Sequence, residues 1–240
     1  MRRFRFCNII LSMIFCISLL MIQDTHSDIN YSSNDLSWSE DAWKEIKKDQ
    51  GVTHYSQQIK GYNLNAYKGI CIINKPIETI YNLLMDVPSH PTWVAYCTDS
   101  SIIKRFSRDD AIQYYNFDVP WPFFDRDIVV HCTQKTDLIT GTVTIDSYAL
   151  RTPLVPLKKK HLRITDARQK WVIEKIDHEK TRITFIAVTN IEGQTPNLLK
   201  KLISQVIPST SLENLRAVSM KQNTVSSTSY IAKSDFNKRK

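Results

Sequence analysis

The chain has 240 residues, a formal net charge of +8 and 42% hydrophobic residues. That length can bury a sizeable core without staples, and the apolar share excludes a disordered chain. Five glycines leave no Gly-rich phosphate loop, and no nucleic-acid motif accompanies the basic balance, so the charge is either a solvated surface or fits an anionic partner such as a phospholipid headgroup.

The N-terminus reads Met1-Arg2-Arg3-Phe4-Arg5, followed by an uncharged, mostly apolar run over 7–22 and then Thr25-His26-Ser27. A basic n-region, an apolar h-region and small residues before a cleavage point predict a secretory signal peptide over 1–27, cleaved near Ser27. A periplasmic or secreted mature chain follows. The rival reading is an uncleaved anchor, for which the run is short of the about 20 residues of a bilayer span. Cleavage leaves Cys71, Cys97 and Cys132. An odd number is no disulfide framework, and small buried thiols are expected.

Residues 28–37 are polar and form a flexible lead. Ser39 can cap a helix with Glu40 and Asp41 in its first turn, Trp43 and Ile46 share a face, and Gly51 ends it, which predicts a helix over 39–51. Strands follow over 52–60 and 66–74, joined by a turn at 61–65. Pro76 opens a second helix carrying Ile77, Ile80, Tyr81 and Leu84 at helical spacing. It breaks at Asp86-Val87-Pro88-Ser89-His90-Pro91, before a short helix or turn with Trp93, Val94 and Tyr96. Strands are then predicted over 101–106, 111–119, 126–133, 142–150, 162–165, 170–176 and 182–189. Their short turns argue an antiparallel meander. Pro196 starts a closing helix whose stripe is Leu198, Leu199, Leu202, Ile203 and Val206, with a kink at Pro208 and Leu212, Leu215 and Val218 beyond. From Lys221 the polar composition predicts a disordered tail over 221–240.

The chemistry-bearing stretch is Pro120-Trp121-Pro122, then Arg126-Asp127 opening a strand. Ile128, Val130 and Cys132 share one face, and by alternation Arg126 belongs to it. An arginine opening an apolar face needs an anion, a carbonyl or water. It either grips a lipid phosphate or carboxylate, or pairs with Asp86 or Asp118 to hold the strand start. Asp125 and Asp127 are expected outward and solvated. Trp93, Trp121 and Trp171 are cavity wall or core, Trp171 inward and Trp121 packed under its turn. The loop over 150–160 sets Leu154 and Leu157 beside Lys158, Lys159 and Lys160. That pattern suits transient docking on an anionic membrane, or a plain solvated loop. His131 points away from Cys132, and no histidine or cysteine shows metal-ligand spacing. No catalytic residue, metal or cofactor is expected.

This chain resembles the bacterial type of the START (lipid-transfer-related) family. The likeness runs over 38–220 and rests on the Pro-Trp-Pro and Arg-Asp stretch, then Trp171-Val172-Ile173-Glu174, Thr181-Arg182-Ile183-Thr184-Phe185, Gly193, Pro196, Leu199, Pro208 and Asn214-Leu215-Arg216. The family turn Asp-Pro-Gly-Gly is Asn190-Ile191-Glu192-Gly193 here. The resemblance implies an α+β helix-grip fold, a curved antiparallel sheet wrapped around a long C-terminal helix with an internal apolar cavity. It also implies a START-like lipid-binding domain over 38–220. A buried acid–arginine pair of animal members falls on Gln113 and Cys132, both uncharged, which implies a more apolar cavity.

Alternation and the helical stripe put Tyr115, Phe117, Ile128, Val130, Cys132, Trp171, Ile173, Phe185, Leu199, Ile203 and Val206 toward that cavity, with Arg126 as its polar anchor. The expected function is extracytoplasmic lipid binding or transfer by a monomer. The alternatives are a cyclase- or hydrolase-like enzyme on the same fold acting on a hydrophobic substrate, and an adaptor that uses the grip for a protein partner.

Overall fold

The computed structural model describes residues 39–191 and 195–222. The segments expected to be a signal peptide (1–27), a lead (28–37) and a tail (beyond 222), together with Trp38 and the turn at Glu192 and Gly193, lie outside the described residues.

Ten strands form one sheet: β1 (Lys44–Asp49), β2 (Val52–Gln57), β3 (Ala66–Ile73), β4 (Cys97–Ser107), β5 (Asp110–Phe117), β6 (Asp125–Thr136), β7 (Val143–Ala149), β8 (His161–Ile164), β9 (Ala167–Lys175) and β10 (Thr181–Thr189). The order is β1-β2-β3-β10-β9-β7-β6-β5-β4, all antiparallel, with β8 off this path. Helix α1 (Ile77–Met85) and a 3-10 helix (Val87–Thr92) connect β3 to β4. The closing helix α2 spans 197–221. This is the curved antiparallel sheet with a gripped C-terminal helix that the resemblance implies.

Three elements differ from the sequence reading. The helix expected over 39–51 is a 3-10 turn (Glu40–Ala42) followed by strand β1. Gln50 and Gly51 have φ of 50° and 77° and form the two-residue loop of a hairpin in which Asp49 faces Val52. Two consecutive positive φ values are what a type I′ hairpin needs, so Gly51 turns a hairpin instead of capping a helix. Strand β1 is exposed throughout and carries three lysines, a charged sheet edge that resists further pairing. Strand β8 is not antiparallel: it runs parallel to the first residues of β6, from Asp125 facing His161 to Ile128 facing Ile164, while β7 takes β6 from Val130 onward. The third difference lies in α2. Its residues Leu202–Val206 form a π-helical turn just before Pro208. Proline has no N–H to donate to the carbonyl four residues back, and the wider turn accommodates this where a sharp kink was expected.

The main core joins α1, the middle of α2 and the inner sheet face, with Ile73, Ile80, Ile173, Ile183, Leu212 and Leu215 fully buried. Gly69 on β3 is what lets α2 approach. A Cβ there would lie 2.4 Å from the Tyr67 hydroxyl and 2.5 Å from Leu212 Cδ2, distances no side chain tolerates.

Candidate functional site

Where the sheet curves away from α2, a pocket of about 140 Å³ remains. Alternation places every second side chain of the central strands on its wall. Strand β6 supplies Arg126, Ile128, Val130 and Cys132, β5 supplies Gln113, Tyr115 and Phe117, β9 supplies Ala167, Gln169 and Trp171, and β10 supplies Phe185, Ala187 and Thr189. Helix α2 closes it with Ile203, Ile207, Pro208 and Ser211.

The wall is an aromatic belt. Trp171 stacks on Phe185 (3.9 Å, 14°), Trp93 meets Trp171 edge-on (6.3 Å), His90 meets Trp93 edge-on (4.9 Å), His90 stacks on Tyr115 (5.7 Å), and Tyr115 stacks on Phe117 (6.4 Å). Each pair adds about 0.5–1.5 kcal/mol beyond its buried area, so the wall is stiff. Two tethers hold α2 over it. Ser211 Oγ accepts the Ala95 N–H (3.0 Å), and Asn214 Nδ2 donates to the Trp93 carbonyl (3.0 Å).

A few polar groups interrupt this surface. His90 lies 3.1 Å from the Leu84 carbonyl through Nε2 and 3.1 Å from the Tyr115 hydroxyl through Nδ1, and that hydroxyl donates to Gln113 Oε1 (2.8 Å). Burial pushes the His90 pKa down to about 4, so at neutral pH it carries one proton. The Leu84 carbonyl can only accept, so Nε2 holds that proton and Nδ1 accepts. The single Tyr115 proton then faces two acceptors, Nδ1 and Gln113 Oε1. Trp93 Nε1–H is a buried donor with no partner. The wall therefore offers a ligand one spare acceptor and one spare donor. Cys132 and Tyr115 are both pushed up by burial, which keeps them as thiol and phenol and leaves neither charged near pH 7.

Of the residues expected at the site, the structure brings Tyr115, Phe117, Ile128, Val130, Cys132, Trp171, Phe185, Ile203 and Arg126 around one pocket. Ile173, Leu199 and Val206 are not on its wall. Ile173 shares the inward face of β9, but α1 and its neighbours Val143 and Ile183 fill that end. Leu199 is buried outside the wall, and Leu198, expected in the same stripe, is 72% exposed. Val206 yields its place to Ile207 because a π-helical turn holds an extra residue, which breaks a phase counted at 3.6. The sequence reading missed His90, Leu84, Gln169, Ser147 and Ser211. Alternation along β7 and β9 could have found Ser147 and Gln169. Nothing in the local pattern marks His90.

Outside the pocket, three expectations change. Trp121 is 91% exposed, not packed under its turn, because its two flanking prolines hold it in a connection that no element covers. Asp127 is fully buried, not solvated: Arg163 grips it with Nε (2.9 Å) and Nη2 (2.6 Å), and the Tyr114 hydroxyl donates to it (3.3 Å). Arg126 makes no ion pair with Asp86 or Asp118. Its Nη1 donates to the carbonyls of Phe124 and Asp125. In the loop over 150–160, Leu154 and Leu157 are exposed, as are Lys159 and Lys160, while Lys158 Nζ lies over the Tyr114 ring at 5.0 Å. Arg163 also donates to the carbonyls of Val155 (2.7 Å) and Pro156 (3.3 Å), which fastens this loop to the outer sheet face.

Known proteins resemble this chain in sequence and in fold. A family model described as START domain matches residues 29–223. Uncharacterized protein PA1579 of Pseudomonas aeruginosa is 27% identical over 181 residues, 75% of this chain and 88% of that one. The structure of a STAR-related lipid transfer protein fragment from Xanthomonas axonopodis has a TM-score of 0.67 at 22% identity, covering 75% of this chain and 99% of that one. Human STARD10 gives a TM-score of 0.66 at 20% identity, covering 77% and 75%. At these identities the two structures show the fold.

Proposed function

This chain belongs to the START domain family, whose members bind or transfer lipids, and from that premise we propose that it is an extracytoplasmic lipid-binding or lipid-transfer protein. The observation that carries the reading is the aromatic-walled pocket under α2. Its ligand is a lipid or other apolar small molecule, and the desolvation of that ligand supplies the affinity, at about 25 cal/mol per Å² of apolar surface as an upper guide. The raised pKa values of Cys132 and Tyr115 and the lowered one of His90 favour holding a ligand over transforming it. They leave neither a nucleophilic anion nor a general base poised near neutral pH.

The export half of the proposal rests on the sequence over 1–27. The intact mass of protein recovered outside the cytoplasm tests it. A chain beginning near Asp28 is expected, and intact Met1 in a membrane pellet would replace the leader with an anchor.

The pocket half is tested by Val130→Trp. Val130 is buried and lines the pocket, so the larger ring fills the space a ligand would take. Uptake of a fluorescent lipid should collapse while the melting curve stays close to wild type. Undiminished uptake in a folded variant would move the ligand elsewhere.

A further inference from the structure

Arg126 is the one cationic side chain on the described wall of the pocket. It is 6% exposed and makes no salt bridge among the described residues, the neighbouring Asp125 acting on it only through space. The carboxylates beside it in sequence are engaged elsewhere. Asp127 is gripped by Arg163. Asp125 accepts the Val119 N–H (3.1 Å) and faces His161 at 3.8 Å. Among the described residues, only Nη1 of the guanidinium is hydrogen-bonded, to two backbone carbonyls. Carbonyls satisfy donors but do not neutralise charge, and a guanidinium does not shed its proton. A buried cation without a contacting anion, facing an aromatic and aliphatic wall, is costly.

The direction of the wall supplies the rest. From Arg126 through Ile128 and Val130 to Cys132, one face of β6 lines the pocket over seven residues, roughly 20 Å of strand. This lane has a fixed positive charge at one end and apolar side chains along its length. We propose that the pocket takes an anionic amphiphile, an apolar chain ending in a carboxylate or a phosphate monoester, and that Arg126 grips that head while the chain lies along β6. The inference rests on the lipid-binding reading above and names the chemical class of its ligand.

The test compares heads on one chain length. Palmitate, hexadecanol and a palmitoyl lysophosphatidate are titrated into wild type, Arg126→Met and Arg126→Lys, with inorganic phosphate as a chainless control. Wild type should bind at least one of the two anionic lipids roughly tenfold or more tighter than hexadecanol, the worth of a charged hydrogen bond. Arg126→Met should lose the preference, its affinity for the anionic lipids falling to that for hexadecanol, and Arg126→Lys should keep part of it. Whichever anion wild type prefers decides between carboxylate and phosphate. Equal wild-type affinity for palmitate, lysophosphatidate and hexadecanol would overturn the proposal, and needs no variant to fold. So would an Arg126→Met that weakens all three lipids alike, or inorganic phosphate binding as tightly as lysophosphatidate. A wild type that binds no lipid at all would overturn the binding reading itself, whereas binding of hexadecanol without preference overturns only the anionic head.

Discussion

His90 shows how one side chain ties the pocket to pH. It bridges the Leu84 carbonyl and Tyr115 and sits between Trp93 and Tyr115. Its pKa is about 4 in the fold and about 6.5 in the unfolded chain. The unfolded state therefore binds the extra proton first as pH falls, and stability rises with pH across this window. The contribution is fully present above about pH 6.5 and is lost as pH drops toward 4, by roughly 3 kcal/mol. His54, also lowered by burial, acts in the same direction. Melting temperatures measured from pH 7 to pH 4 should fall more steeply for wild type than for His90→Gln. Parallel curves would mean that His90 takes up its proton at the same pH in the fold as in the unfolded chain.

At the scale of elements, the loop over 150–160 is fastened by Arg163, which also grips Asp127, alongside the packing of Leu150 and Val155 with Tyr114 and Val129. Arg163→Met should strand a fully buried carboxylate and destabilise the protein by about 3–5 kcal/mol. Urea unfolding measures this, and adding Asp127→Leu to the same protein should recover much of the loss. If the single variant unfolds like wild type, the pair is ornamental and the loop has other fastenings. The elements legible in the sequence were those whose pattern is set by one buried face. Strands β5, β6, β9 and β10 alternate around Tyr115, Val130, Trp171 and Phe185, and these same residues reach the pocket. Strand β1 was not legible, because an exposed edge strand with sequence Lys-Glu-Ile-Lys-Lys-Asp has no apolar alternation to read. Asp127 was misread because its partner Arg163 arrives on β8, 36 residues later, through a parallel pairing that no local period announces. Ile207 was missed for Val206 because the π-helical turn before Pro208 shifts the phase of the helix.

On the proposed function, the whole molecule meets a membrane when it exchanges a lipid. Trp121, Phe124, Leu154 and Leu157 are exposed in the β5–β6 and β7–β8 connections. The pairing of Asp125 with His161 brings the ends of those connections side by side. Val119, Arg126 and Ile164 bring the pocket wall to that same end. Apolar tips beside Lys159 and Lys160 suit an anionic bilayer. Replacing Lys158, Lys159 and Lys160 by Ser should weaken binding to anionic vesicles by up to about 1 kcal/mol per lysine, with Lys158 contributing least because it lies over Tyr114. Binding to neutral vesicles should hardly move, and added salt should reproduce the loss. A wild type indifferent to lipid charge and salt would make these lysines solvated bystanders.

The pocket itself, at about 140 Å³, matches a cavity that holds a benzene-sized guest and is smaller than the about 300–1,000 Å³ of ordinary ligand sites. On the proposed function, a lipid chain needs more room than this, and the π-helical turn before Pro208 or the loop over 150–160 is the place to give it. Native mass spectrometry of mildly purified protein is the deciding measurement. One lipid per chain is expected, released on denaturation and absent from folded Val130→Trp. A wild-type chain that carries no lipid and acquires none from vesicles, or a folded Val130→Trp that keeps the same adduct, would contradict the proposed function.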